Sequence, residues 1–266
     1  MGERTLLMGV VNVTPDSFSD GGLNLTPSDA VASALRMTAE GADLIDLGGE
    51  STRPGHIAVS AEEEWNRLRP VFAGLAQAQL SLPPLAIDSW KADVARRAIA
   101  AGASIVNDVW GFQRDPAIAE VAAESGAAAI LMHNREAADP QIDIVSDILR
   151  FLERSLAIAE AAGVADDRIL LDPGIGFGKT IAQSYEAVAA LPRLKALGYP
   201  VLLGLSRKAF IGRLFEPPPA PAARLPGTIA ANAYGVIAGA DIIRVHDVAE
   251  HVQAMRVIDT LRRTAA

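Results

Sequence analysis

The sequence predicts an α/β chain folded as one (β/α)8 barrel, the TIM-barrel architecture. Three observations predict it. Eight short apolar runs alternate with longer amphipathic stretches, the order that builds a parallel sheet. The chain has 266 residues, and eight strand–helix units need about 250. Each run also ends in a polar or charged residue, as strands do where a barrel carries its site. A doubly wound open sheet has a similar alternation and is the competing architecture.

In chain order, the strands are expected at Leu6–Val13, Ala42–Gly49, Pro84–Ser89, Ser104–Val109, Ala127–His133, Ile169–Pro173, Val201–Ser206 and Asp241–His246. Their Val, Ile and Leu content suits strands buried on both faces. The first helix is expected over Ser28–Gly41, opened by Pro27 and closed by Gly41. Helical spacing recurs over Ala61–Ala78, Lys91–Ala101, Pro116–Ser125, Ile142–Ala162, Ala182–Leu197, Thr228–Gly239 and from about Val248 to Arg263. The Pro-rich piece Glu216–Pro221 cannot lie inside a helix. It reads as an exposed excursion after the seventh strand, not a linker. Residues 1–266 are therefore expected to form one domain.

Composition narrows the function. The formal net charge of −8 argues against a nucleic-acid partner. A small anionic substrate is still compatible, because local cations can outweigh the global sign. Without cysteine there is no disulfide framework, thiol nucleophile or Cys-bound zinc. No stretch reads as a signal peptide or a bilayer span, so a soluble cytoplasmic protein is expected, with no membrane partner.

The strand ends concentrate chemistry. They deliver Asn12, Asp46, Asp88, Asn107-Asp108, His133-Asn134, Asp172, Ser206-Arg-Lys208 and Arg244-Val-His246 to one rim. Any one acidic residue after a strand is as easily a helix N-cap. Eight polar strand ends together imply a ligand. Arg244 and His246 stand two apart on a strand and so share a face. A guanidinium beside an imidazole suits a phosphate clamp. Other signals read as bland. Glu62-Glu63-Glu64 fits a solvated first helical turn. His56 and His251 have no partners that spell a metal site, and Trp65, Trp90 and Trp110 suit packing.

Several longer strings carry a resemblance. They are Met8–Gly22, Asp46–Gly55, Ile87-Asp-Ser-Trp-Lys91 with Gly102–Asp108, Asp172–Lys179, Ser206-Arg-Lys208 with Phe210-Ile-Gly212, and Arg244-Val-His246. Over almost the whole chain they resemble the dihydropteroate synthases. The resemblance implies condensation of 6-hydroxymethyl-7,8-dihydropterin diphosphate with p-aminobenzoate in folate synthesis, releasing diphosphate. It implies that Asp172 takes the pterin N–H groups, with Asn107, Asp88 and Lys208 on the remaining polar edge. It places Phe18, Thr52, Arg53, Pro54, Phe177 and Lys208 around p-aminobenzoate, with Ser206 also on substrate. Asp88, Lys208, Arg53 and Asp16 form the implied catalytic set. Asn12 is the implied protein ligand of Mg²⁺, with Arg244 and His246 on the diphosphate.

The loops Thr14–Gly22 and Ser51–Gly55 are expected to close as lids. A homodimer through outer helices is implied; apolar Val252, Met255 and Leu261 on the last helix are compatible with that and equally with barrel packing. Sulfonamides, as p-aminobenzoate mimics, are expected to compete. The chain departs from the family at Asn134, where a Met is common, and at Ala209, where a Ser is common. Backbone N–H groups at the helix start after Lys208 are then the expected carboxylate donors. A corrinoid-linked pterin methyltransferase would not need Ser51–Gly55 or Ser206–Lys208. A non-catalytic relative would be expected to lose Asn12, Arg53, Lys208 or His246. All of these residues are present.

Overall fold

Each apolar run forms a strand: β1 (Leu6–Asn12), β2 (Leu44–Gly48), β3 (Leu85–Asp88), β4 (Ile105–Asp108), β5 (Ala128–Met132), β6 (Ile169–Asp172), β7 (Leu202–Leu203) and β8 (Ile242–Val245). The structure, a computed structural model, describes residues 4–14, 26–51, 58–78 and 80–265. The strands form one sheet in the order β6-β5-β4-β3-β2-β1-β8-β7, with every pairing parallel. A bridge between Leu171 and Val201 joins the two ends. The Leu171 N–H also donates to the Pro200 carbonyl at 2.9 Å. The sheet thereby curls into a barrel closed at its weakest seam by these contacts.

Helices wrap the outside: α1 (Pro27–Glu40), α2 (Ala61–Ala76), α3 (Ala92–Ala100), α4 (Ala117–Ser125), α5 (Ile144–Ala162), α6 (Ile181–Ala189), α7 (Leu191–Lys195), α8 (Ala209–Gly212), α9 (Leu225–Ile237) and α10 (Val248–Ala265). Their ends follow local chemistry. Thr26 and Asp29 form a capping box before α1, and Gly41 closes it with φ 105°. Three elements depart from the sequence expectation. The helix expected over Ala182–Leu197 breaks at Ala190, because Pro192 cannot continue it and instead opens α7. The seventh strand keeps only Leu202–Leu203. Beyond it the chain turns, with the Lys208 N–H on the Leu205 carbonyl at 3.2 Å. The four-residue α8 is too short to leave a periodic signal in the sequence. The stretch from Leu214 to Pro218 is exposed, as expected of an excursion.

Strand periodicity sorts the side chains. Met8, Leu44, Ala86, Ile105, Ile130, Leu170, Leu202 and Ile242 form one buried cluster, the apolar floor of the barrel interior. Their neighbours Leu7, Ile45, Ile87, Val106, Leu131, Leu171, Leu203 and Ile243 face outward into the core beneath the helices. Residues two positions beyond the floor face inward again. Those are Asp46, Asp88, Asn107, Asp172 and Arg244. Polar residues at the opposite end have structural roles: Asp259 accepts from the Thr5 N–H at 2.9 Å, and Asp241 accepts from the Val201 N–H at 2.7 Å.

Candidate active site

The inward-facing layer above the floor is a charge network. Arg244 Nε donates to Asp46 Oδ2 at 2.7 Å, and its Nη2 donates to Asp88 Oδ2 at 2.7 Å. Asn107 Nδ2 donates to Asp46 Oδ2 at 3.0 Å. That bond fixes the Asn107 amide, turning its oxygen into the acceptor for a ligand. Asp46 and Asp88 each retain a buried carboxylate oxygen without a hydrogen-bond partner among the described residues. Buried acceptors are rarely left so. A ligand bearing N–H groups would satisfy them. Asp172 Oδ1 takes the Gly174 N–H at 2.7 Å.

The charges shift one another. Burial pushes the Asp88 carboxyl up to about 7, Arg244 opposing and Asp46 reinforcing. Burial also raises Asp172, opposed by Lys208. Burial lowers Lys208 to about 8, against the pull of Asp172. For Arg244, burial disfavours its charge, but Asp46 and Asp88 outweigh it and its pKa rises. Three carboxylates thus surround two cations, a field that suits a ligand acquiring positive charge.

The expected site residues take different places. Asp88, Asn107, Asp172, Lys208 and Arg244 converge on this layer. Arg244 is engaged by two carboxylates, however, so a diphosphate would have to share it. His246 lies just past β8 and its Nδ1 is 2.9 Å from the Ser206 hydroxyl, which also accepts from the His246 N–H at 3.2 Å. Ser206 therefore orients His246. Phe177 lies beneath the Lys208 ammonium, 4.7 Å from Nζ to ring centre, and Lys208 donates to the Ile175 carbonyl. Asp16, Phe18, Thr52, Arg53 and Pro54 lie outside the described residues, as does most of both expected lid loops. At Ala209 the helix α8 has only four residues. That is too short for the expected anion site at its start, since a single turn has little dipole.

Asn12 ends β1 beside Gly48. A methyl group added to Gly48 would sit 3.3 Å from Asn12 Oδ1 and 3.6 Å from Asp88 Oδ2. The glycine leaves these two oxygens room to share a ligand. No cluster of three His, Cys, Asp or Glu side chains able to hold a metal occurs among the described residues. One amide oxygen, completed by phosphate and water, is the donor set that suits Mg²⁺.

Some residues that matter carried no functional reading. Asp46, a carboxylate inside an otherwise apolar strand, stood among the strand ends without a role. Its inward parity with Asp88 was the available signal. Glu64 corrects an expectation. Glu62 and Glu63 are exposed, but Glu64 is fully buried and paired with Lys91 Nζ at 2.5 Å. Lys91 also holds Glu50. The first turn of α2 faces the rim on that side, so its third glutamate points inward. Trp90 and Trp110 sandwich Arg114, their ring centres 4.7 Å and 4.8 Å from its guanidinium carbon. His251 is structural, with Asn232 Nδ2 at 3.0 Å and the Asp247 carbonyl at 2.6 Å.

Comparison with known proteins agrees with this geometry. The pterin binding enzyme family matches residues 8–246. A dihydropteroate synthase of Clostridium beijerinckii is 46% identical over 264 residues, covering 99% of this chain and 96% of that protein. The solved structure of a Clostridium difficile dihydropteroate synthase in the presence of pteroic acid has a TM-score of 0.92 at 46% identity, covering 98% of both chains. A Xanthomonas albilineans dihydropteroate synthase with 4-aminobenzoic acid has a TM-score of 0.90 at 46% identity, covering 97% of this chain and 93% of that one. Identity at this level across nearly the entire length establishes that the chain belongs to the dihydropteroate synthase family of pterin-binding enzymes.

Proposed function

We propose that the protein is a transferase joining 6-hydroxymethyl-7,8-dihydropterin diphosphate to p-aminobenzoate, giving 7,8-dihydropteroate and diphosphate for folate synthesis. The observation that carries the reading is the pair of buried, unpartnered carboxylate oxygens on Asp46 and Asp88 beside the oriented Asn107 amide. An amino-pyrimidinone edge presents N–H donors beside a carbonyl. Carboxylates take such donors through strong charge-assisted bonds, and the Lys208 ammonium suits the carbonyl.

The chemistry follows from the charges. The bond from the pterin methylene carbon to the diphosphate oxygen breaks, and its electron pair leaves with the diphosphate. Arg244 and His246 stabilise that departing charge. Bound Mg²⁺ would neutralise phosphate charge from a position at Asn12. The resulting pterin cation is stabilised by Asp88 and its carboxylate neighbours. The aniline nitrogen of p-aminobenzoate then forms the new C–N bond and loses its proton afterwards, so no strong base is needed. Phe177 and Lys208 frame the p-aminobenzoate side, where sulfonamide mimics would compete.

The protein acts as a homodimer in this reading. Tyr234 and Ile237 on α9, with Val257 and Leu261 on α10, are exposed apolar residues on two helices packed against each other. Of the residues expected on that face, Met255 is buried and Val252 half-buried, while Leu261 points outward. No helix among the described residues is long and apolar enough to cross a membrane, which fits a cytoplasmic location.

The test is direct. Purified protein, both substrates and Mg²⁺ should give dihydropteroate and diphosphate in equal amounts. Chelation should stop turnover, and Asn12→Ala should raise the Mg²⁺ needed for half-maximal rate about tenfold. Intact pterin binding by calorimetry without any turnover would instead favour a non-catalytic relative.

A further inference from the structure

The loop from Gly174 to Gly178, between β6 and α6, rests on a buried lysine. Lys179 Nζ lies 2.7 Å from His133 Nδ1, 2.7 Å from the Gly174 carbonyl and 3.2 Å from the Phe177 carbonyl. An ammonium has three protons and no acceptor capacity. Each proton therefore has one partner. On the far side of the imidazole, His133 Nε2 lies 3.2 Å from Asp147 Oδ2. The ring must accept at Nδ1 and donate at Nε2, which fixes the neutral tautomer. Burial drives both groups towards neutrality, bringing Lys179 to about 7 and His133 to about 3.

The same loop is seated against β5 and its following segment by glycines. A methyl group on Gly174 would lie 1.8 Å from the His133 carbonyl oxygen. One on Gly178 would lie 2.4 Å from Arg135 Cβ. From the side of the barrel mouth, Lys208 donates to the Ile175 carbonyl and rides over Phe177. Two lysines thus hold one loop, Lys179 at the Gly174 and Phe177 carbonyls and Lys208 at the Ile175 carbonyl between them. Lys208 reaches the ring of Phe177, whereas Lys179 is held at the base of the loop by His133.

We propose that Lys179 is a positioning residue for p-aminobenzoate recognition: by holding the Gly174 and Phe177 carbonyls against His133 Nδ1, it sets the Phe177 ring and the Ile175 carbonyl that aim the Lys208 ammonium. The proposal rests on the synthase reading. Lys179 touches no substrate and acts through Phe177 and Lys208. Asp172, on the pterin side, is tied to this loop through the Gly174 N–H and feels the Lys179 charge at longer range.

Steady-state kinetics of Lys179→Met at saturating pterin diphosphate provide the test. The KM for p-aminobenzoate should rise about tenfold, by more than kcat falls and by more than pterin affinity drops in calorimetry. In Lys179→Ala, added methylammonium should lower that KM again. A lower melting temperature with KM unmoved, or an equal loss of pterin affinity, overturns the proposal. Should neither variant fold, ¹⁵N NMR of the wild-type protein decides. A bare Nδ1 and a protonated Nε2 on His133 near neutral pH are expected. A proton on Nδ1 refutes the arrangement. Absence of turnover in the wild-type protein would count against the synthase reading, whereas turnover with an unmoved KM counts against this one alone.

Discussion

Arg244 Nη2 lies 2.6 Å from Asp46 Oδ2, although 198 residues separate them in the chain. The same guanidinium bonds Asp88. One half-buried cation therefore holds two buried carboxylates whose remaining oxygens are left for a ligand. Replacing Arg244 by Met should destabilise the fold by about 3–5 kcal/mol at pH 8, because buried charges lose their partner. Asp88 carries a carboxyl raised to about 7. Near pH 5 it already holds a proton in the native state, so the deficit should shrink. Urea denaturation at the two pH values measures this. Equal deficits would mean that Arg244 does not neutralise Asp88.

Activity should depend on pH through the same residues. Asp88 must be ionised to stabilise a cation, and it loses its proton near 7. Lys208 must be protonated, and its charge fades above about 8. The profile of kcat/KM for the pterin substrate should be a narrow bell between those limbs. Asp88→Asn should abolish the acid limb and Lys208→Met the alkaline one, each with a large loss of rate. A profile unchanged in shape in Asp88→Asn would remove Asp88 from that role.

Lys91 offers a test of the buried network beside the second strand. Its ammonium pairs with Glu50 and Glu64, both buried. Burial raises the Glu64 carboxyl, and Lys91 counteracts that. Lys91→Met should cost about 3–5 kcal/mol by removing the cation paired with the buried Glu64 carboxylate. The double variant Lys91→Met with Glu64→Met should cost less than the single one. A strictly additive cycle would show that the pair is not coupled.

His133 should make the fold sensitive to acid. Its folded pKa is lowered by burial from 6.5 to about 3. The unfolded chain therefore binds this proton first as pH falls. Stability is present in full above about 6.5 and is lost towards 3, by up to roughly 1.4 kcal/mol per pH unit. His133→Phe should be less stable at pH 7, where Lys179 and Asp147 lose a partner. The gap to wild type should narrow between pH 6 and pH 4. A constant gap would mean that His133 titrates normally in the folded protein.

The oligomeric state can be read by sedimentation equilibrium. A dimer is expected, and Ile237→Asp with Leu261→Asp should give monomers at an unchanged melting temperature. Both positions are exposed in the single chain, so the barrel itself should tolerate the charges. A wild-type monomer at micromolar concentration would refute the assembly.

Much of this was legible in the chain because the signals are local. Apolar runs with period two, Pro27 and Gly41 bounding a helix, and a polar residue at each strand end need only neighbours along the sequence. These fixed the strand and helix order, the rim that carries the site and the identities of Asp88, Asn107, Asp172, Lys208 and Arg244. Resemblance over long strings supplied the chemistry. The end of strand seven and the break at Ala190 are not legible in the chain, because hydrogen-bonding partners and a proline decide those boundaries more than hydrophobicity does.

What only the tertiary structure decided is pairing. Nothing in Glu62-Glu63-Glu64 tells which glutamate turns inward until α2 packs beside Lys91. Asp46 acquires its part only when barrel closure brings β8 beside β1 and Arg244 across to it. Lys179 finds His133 because the loops after β5 and β6 interlock through glycines. Burial and charge balance are properties of the assembled interior, where a low dielectric makes each partner count. They are set by residues distant in sequence, so they emerge with the fold.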